Sequence, residues 1–313
     1  MHRFRFILYR PIQFIPVLFG ISVITFVLVR LIPGDPARII LGTRASPTAL
    51  ANIRAQYGLD EPMWVQYLFF LKNLGAGEMG RSTLYKIDVL KLIATRIEPT
   101  LALVAAAVIL SLLIAVPFAA LSARRQGRPT DHVVRIVSTA GIGFPPFWLG
   151  VMLIILFSVK LGWLPVSGYG NTLGEKIQHL ILPGLTIALS LSAVLTRSLR
   201  AGMIAGLKSD VATAARARGM PENIVFWRHV VPNALVPTVN LLAINIGWLI
   251  GGTVVVESVF AIPGMGQLLV RGIFTRDYMV VQGVAMTFAV ATVLINLLAD
   301  ILTVALDPRV DLS

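Results

Sequence analysis

The sequence predicts an all-α, polytopic membrane protein with six transmembrane helices. Of its 313 residues, 56% are apolar and only 13% are charged. With a mean hydropathy of +0.81, that balance is too oily for a soluble domain of this length. Six apolar runs, at 12–32, 101–123, 136–159, 180–196, 235–256 and 279–299, approach the length of about 20 residues that a helix needs to cross hydrocarbon. Lipid offers backbone amides no partners, so each run must pair its own.

The first run follows Arg3, Arg5 and Arg10 and ends without a small-residue cleavage site, so it reads as a retained span. Arg30 lies near its end and can snorkel to the headgroups. The second, third and fifth runs hold no charge. The fourth has an uncharged core of only 17 residues, so its neighbours must either lift it into place or shield it from lipid.

The 27 Lys and Arg exceed the 15 Asp and Glu by 12. In a soluble protein such an excess suggests nucleic acid, but here the basic residues sit in connections between apolar runs, so no nucleic-acid partner is expected. Placing the N-terminus in the cytoplasm puts Arg124, Arg125, Arg128 and Arg135 in one cytoplasmic connection. Arg197, Arg200, Lys208, Arg216, Arg218 and Arg228 occupy the next, and Arg309 the tail. The two short connections opposite hold only Lys160 with Lys176, and Arg271 with Arg276. Basic residues in short loops stay inside, so both termini are expected to be cytoplasmic. The absence of cysteine excludes disulfides and thiolate chemistry. His2, His132, His179 and His229 are too scattered to pair as metal ligands on one helix face.

The chain divides into the tail and first helix (1–32), an extracytoplasmic segment (33–98), a five-helix core (99–306) with a cytoplasmic loop at 197–234, and a cytoplasmic tail (307–313). In the second of these, Ser46 or Thr48 suits the cap of a helix through Tyr57, and Pro62 opens another. Trp64, Tyr67, Leu68, Phe70 and Leu71 then either pack onto the bundle or form an aromatic belt. The Pro- and Gly-rich connections 160–179 and 257–278 read as lids or spacers.

Helix breakers recur within the spans, and GIGFPPFWLG, with Gly143, Pro145 and Pro146, is the foremost hinge candidate. Gly251 in the fifth span is a further candidate. Asn240 and Asn245 should face protein or water, serving interhelical hydrogen bonds or the pathway.

The connection between the fourth and fifth runs is far longer than two neighbouring helices need. Asp210 suits an N-cap, Val211 to Arg218 a short helix, and Gly219 the left-handed residue that ends it. Met220, Pro221 and Glu222 then start a second helix that stops near Pro232. Small Ala214, Ala215 and Ala217 leave a narrow surface able to enter a partner's groove, with Arg216 and Arg218 positioned for carboxylates or carbonyls there.

The run TAARARG, nine residues, then HVVP resembles the loop of permease subunits in bacterial ATP-binding cassette importers. That family shows Glu-Ala-Ala, three residues, Gly, nine residues, an aliphatic residue, any residue, Leu, Pro. Thr213 stands here for the Glu and His229 for the aliphatic residue. The dipeptide, oligopeptide and nickel branch resembles this chain more closely. Its Thr matches Thr213, and it is similar at LIPGDPA, YGLDEPMWVQY, FPPFWLG, LGWLPVSGYG, VVVESVFAIPGMGQLL and ALDPR, in that order. The resemblance implies a MetI-like (type I importer) permease fold in the bacterial inner membrane, with a cytoplasmic coupling helix that docks on an ATPase. It assigns that docking to Val211 through Glu222.

The same resemblance implies two ATP-binding subunits, a homologous second permease and an extracytoplasmic solute-binding protein as partners. The chain itself lacks a phosphate-binding G-x-x-x-x-G-K-[ST] loop, so it is expected to be no enzyme and to hold no cofactor, ATP and Mg being bound by the partners. Peptides are the expected cargo; nickel chelates, glutathione, opines and sugars are alternatives. A stand-alone secondary transporter would want inverted repeats and ion-coupling charges at mid-membrane, and the sequence presents neither.

Overall fold

A computed structural model describes residues 2–30, 37–38 and 45–306. The LIPGDPA motif lies mostly outside the described residues, as does ALDPR from residue 307 on. The chain is organised as two compact units, Met1–Thr100 with Pro263–Val293, and Leu101–Ile262 with Leu294–Ser313.

In the first unit, α1 spans His2–Arg30, α2 Pro47–Tyr57 and α3 Met63–Gly75. Ser46 caps α2, its side chain accepting from Ala49 N, and Gly58 ends it at φ +58°. The Tyr67 hydroxyl meets Ser22 Oγ at 2.7 Å, and Phe26 contacts the rings of Tyr67 and Phe70, so α3 packs on α1. Trp64 and Leu68 stay exposed, so only part of the aromatic stretch packs.

The helix α4, Val89–Arg124, begins in this unit, where Val89, Leu92 and Ile93 form a core with α11 (Met265–Phe274) and the start of α12 (Tyr278–Leu306). The connection expected to be a lid or spacer thus contains a helix with a buried face. Thr100 Oγ1 accepts from Met265 N at 2.8 Å, satisfying an amide at the start of α11. Buried Asp277 accepts from Ser82 Oγ and Leu84 N and fixes the 82–84 turn.

In the second unit the expected third span, 136–159, is broken. Helix α5 (Pro129–Gly143) meets α6 (Pro146–Leu153) and its π-helical continuation Ile154–Lys160 at a 104° bend. Pro145 and Pro146 lack the N–H groups that would continue α5. Helix α7 runs from Leu173 to Leu207, well beyond the expected 180–196. Its start carries a capping box between Thr172 and Glu175. Two-thirds of its apolar window is buried, against a third or less in the other long helices, so the short fourth span is shielded by its neighbours.

Short helices α8 (Asp210–Ala217) and α9 (Glu222–Val225) follow, and a π-helical turn, Phe226–Val230, joins α9 to α10, Val231–Val259. The described residues contain four helices long and apolar enough to span a membrane, and a fifth if the bent pair counts as one. Helix α1 contributes a shorter apolar stretch, Phe14–Leu28, where the six-span expectation needs a full crossing.

Gly283 on α12 fits only because it lacks a side chain, since a Cβ there would lie 2.6 Å from the Val89 methyl on α4. Val89 is fully buried and short. Gly283→Val is expected to overpack this contact and cost about 1–3 kcal/mol. A lowered midpoint in detergent thermal denaturation is the readout, and an unchanged midpoint contradicts the close approach.

Candidate functional site

The connection between α7 and α10 is mostly helix, and its short turns are tightly specified. Ser209, not Asp210, caps α8: its Oγ accepts from Ala212 N at 3.3 Å and donates to Gly206 O at 2.7 Å. Asp210 is the first helical residue instead, where a carboxylate favours the positive end of the helix dipole.

Ala212 and Ala215, three apart, turn inward against a core of Leu199, Met203, Val225, Phe226 and Val230. Val211, Thr213, Ala214, Ala217 and Arg218 form the exposed side. The expected narrow surface of Ala214, Ala215 and Ala217 is therefore corrected: Ala215 is 5% exposed and anchors the helix from within, because its face is the one the bundle covers.

Gly219 has φ +79°. Its N–H donates to Arg216 O at 2.9 Å and Met220 N to Ala215 O at 3.2 Å, a Schellman ending that closes the last carbonyls of α8. Met220 packs on the same core. Pro221 caps α9 by its extended backbone, with Glu222 in the first turn.

Arg216 is not presented outward as expected. Its Nε donates to Glu222 Oε1 at 2.6 Å, its Nη2 to Glu222 Oε2 at 3.4 Å and its Nη1 to Leu207 O at 3.0 Å. The hydrogen bond and charge of Glu222 hold the guanidinium pKa above its usual value. One side chain thus ties the end of α7, the body of α8 and the start of α9. Beside it the Arg124 guanidinium lies 4.1 Å from the centre of the Phe226 ring, fastening the π-helical turn after α9 to the end of α4.

The second helix does not stop near Pro232. It continues as a single 38-residue helix, Glu222–Val259, because the π-helical turn, with Val231 N donating to Phe226 O, places the missing proline donor where the helix tolerates it. Ile224 and Trp227, just after the turn, are exposed, as is Val211 on α8.

The remaining candidates lie apart from this knuckle. Gly143, Pro145 and Pro146 are exposed at the α5–α6 bend, where Phe144 and Trp148 stack at 4.9 Å. Asn245 Nδ2 donates to Leu241 O of its own helix, and Asn240 and Asn245 are half-buried on α10, where Gly251 is exposed. Sequence reasoning missed a clasp at the same end of the unit. Arg200 donates from Nε and Nη2 to both oxygens of Asp131 at 2.8 and 2.7 Å, and Ser122 Oγ and Gly127 N also donate to that carboxylate. The signal was present: Asp131 is the sole acid in a connection otherwise filled with arginines.

The chain is similar to known proteins in sequence and in fold. A family model described as binding-protein-dependent transport system inner membrane component matches residues 115–312, and an N-terminal companion model for such membrane components matches residues 3–88. The chain is 39% identical over 312 residues to the oligopeptide transport system permease protein AppB of Bacillus subtilis, covering 98% of this chain and 99% of that one. It is 37% identical over 305 residues to the glutathione transport system permease protein GsiC of Escherichia coli, covering 97% and 98%. Among solved structures, an inward-facing MetNI methionine ABC transporter chain is similar with a TM-score of 0.58 at 18% identity, covering 69% of this chain and 96% of that chain. An amino acid ABC transporter crystallised with histidines matches at a TM-score of 0.52 and 18% identity, covering 68% and 93%. At these identities the two structures bear on the fold alone.

Gly219→Val is expected to strain the α8–α9 turn by about 1–2 kcal/mol, because a left-handed backbone brings its Cβ against the following carbonyl. Trypsin cleavage after Arg216 and Arg218 in the detergent-solubilised protein should accelerate by about tenfold, in line with that strain. An unaltered cleavage rate contradicts the turn's dependence on glycine.

Proposed function

The chain belongs to the family of binding-protein-dependent transport system inner membrane components, and from that premise we propose that it forms half of a peptide translocation pathway driven by separate ATPase subunits. The chain is a membrane-embedded permease of an ATP-binding cassette importer. Our reading adds the cargo, the partners and the joint. One observation carries the joint: an exposed helix, α8, is braced through Arg216 and Glu222 to a helix that runs unbroken from the knuckle into the apolar bundle. Displacement of α8 by a partner is thereby delivered to α10 rather than absorbed in a flexible loop.

In this reading the face of Val211, Thr213, Ala214, Ala217 and Arg218 seats in a cleft of the ATPase, with Ile224 and Trp227 at its edge. Two such ATPases bind ATP and Mg and close on nucleotide. Their preference for one state of the assembly supplies the differential affinity that moves the permease between inward and outward access. A homologous second permease completes the pathway, and an extracytoplasmic solute-binding protein delivers the cargo. Both termini and the α7–α10 connection then face the cytoplasm. Division of the chain into first helix, extracytoplasmic segment and core with coupling loop belongs to the same proposal.

Oligopeptides are the cargo we favour, supported by the 39% identity to AppB across nearly the whole chain. Glutathione is the second reading, supported by the 37% identity to GsiC. Both are peptides with free carboxylates, so a shared pathway chemistry is physically reasonable. Uptake of labelled oligopeptides and of glutathione, in cells expressing the complete system with its cognate binding protein, separates them.

Ala214→Trp places an indole on the exposed side of α8 and should abolish co-capture of the ATPase by the affinity-tagged permease, while membrane insertion is unchanged. Undiminished co-capture contradicts docking through this face. Arg216→Ala should leave co-capture measurable but reduce ATP-driven uptake, because the brace and not the docking face is lost.

A further inference from the structure

Between α5 and α7 the second unit contains a cavity of about 460 Å3. Arg135, Ser138 and Thr139 line it from α5, and Thr196, Arg197 and Arg200 from α7. On α5 the three stand at i, i+3 and i+4 and so share one face. Val134 completes the lining, and Thr139 Oγ1 donates to Arg135 O at 2.8 Å, so the guanidiniums of Arg135 and Arg197 are the main donors facing a space that a small headgroup can fill.

The charges there are not balanced by the protein. Arg200 is committed to Asp131, but Arg135 and Arg197 make no ion pair among the described residues. A second observation is independent of charge. Thr196 is 3% exposed, and its Oγ1 has no hydrogen-bond partner, although buried hydroxyls are nearly always bonded. An oxyanion in the cavity would accept from both uncommitted guanidiniums, whose planar forks match phosphate oxygens, and from the Thr196 hydroxyl once that side chain, held by no hydrogen bond, turns toward the cavity.

We propose that this cavity binds a phosphate oxyanion, and that its resident is the headgroup of an anionic phospholipid in the cytoplasmic leaflet. Depth supports the lipid source. Arg135 lies less than two turns from the start of α5, and Arg197 and Arg200 follow directly on the apolar run of α7, at the level where headgroups meet protein. Basic pockets between membrane helices on the cytoplasmic side are suited to such headgroups. Helix α5 also carries an exposed apolar stripe, Val133, Ile136 and Val137, as a helix bordering acyl chains does. A bound headgroup would pin α5 to α7 beside the Asp131–Arg200 clasp. The assignment rests on the proposed topology only for which leaflet supplies the lipid; the binding test involves neither ATPase nor cargo, so the two readings fail separately.

Native mass spectrometry of the full-length chain in detergent, titrated with phosphatidylglycerol or phosphatidylethanolamine of matched acyl chains, tests the site. Phosphatidylglycerol should bind more tightly. The Arg135→Gln/Arg197→Gln double variant should weaken it about twenty-five-fold, from about fivefold for each guanidinium, and should weaken phosphatidylethanolamine, whose ammonium offsets its phosphate charge, by less. Thr196→Val changes no charge and should still weaken phosphatidylglycerol by about tenfold or more, the loss expected for one hydrogen bond to a charged group. Equal phosphatidylglycerol affinity in wild type and both variants overturns the site. Inorganic phosphate is the third probe: Arg135- and Arg197-dependent phosphate binding without such dependence for phosphatidylglycerol overturns the lipid assignment.

Discussion

Burial of α7 along most of its length is the constraint on which the second unit rests. Lipid tails are as apolar as leucine, so helices in a bilayer gain little from hydrophobicity alone and depend on close packing. Small residues permit that packing on α4 and α10, where Ala115, Ala119, Ala120, Ala123 and Ala234 join Leu191, Leu195, Leu199 and Met203 of α7 in one buried cluster that also holds Phe226 and Val230. Once α7 is held, it positions what hangs from it. Ser190 donates to Gly141 O near the end of α5, Arg200 closes the clasp on Asp131, and Leu207 O receives Arg216.

The knuckle formed by α8 and α9 shows why geometry and energy must be weighed separately. Ion pairs as exposed as Arg216 with Glu222 add little stability, because water and salt screen them and two long side chains must be ordered. Its value is positional. The same guanidinium also reaches Leu207 O, so three segments share one side chain, while the burial of Ala212, Ala215 and Phe226 provides the cohesion. In the function proposed above, work enters the permease through this joint, and a helix continuous from the knuckle into the bundle is a stiff way to receive it.

Basic residues at this end serve more than orientation. By the topology rule each arginine in a short connection counts alike. Folded, they part company: Arg124 lies over Phe226, Arg200 neutralises a buried carboxylate, Arg216 braces the knuckle, and Arg135 and Arg197 face an open cavity. Which role falls to which residue depends on the face each occupies once its helix is packed.

Much was legible before folding because it follows from local rules. Long apolar runs mark membrane helices, Ser46 and Pro62 mark the starts of α2 and α3, Gly219 marks a left-handed turn, and the motif order marks the family. Those features depend on hydropathy, backbone sterics and a linear pattern, which the chain carries without regard to its neighbours. Tertiary contact decided the rest. Composition could not show that Ala215 points inward while Ala214 points outward, or that Pro232 sits inside a continuing helix. Nor could it show that Asp131 finds Arg200, 69 residues away in sequence, or that 136–159 bends by 104°. Each of these turns on which face of a helix its neighbours cover, and that is a property of the packed bundle.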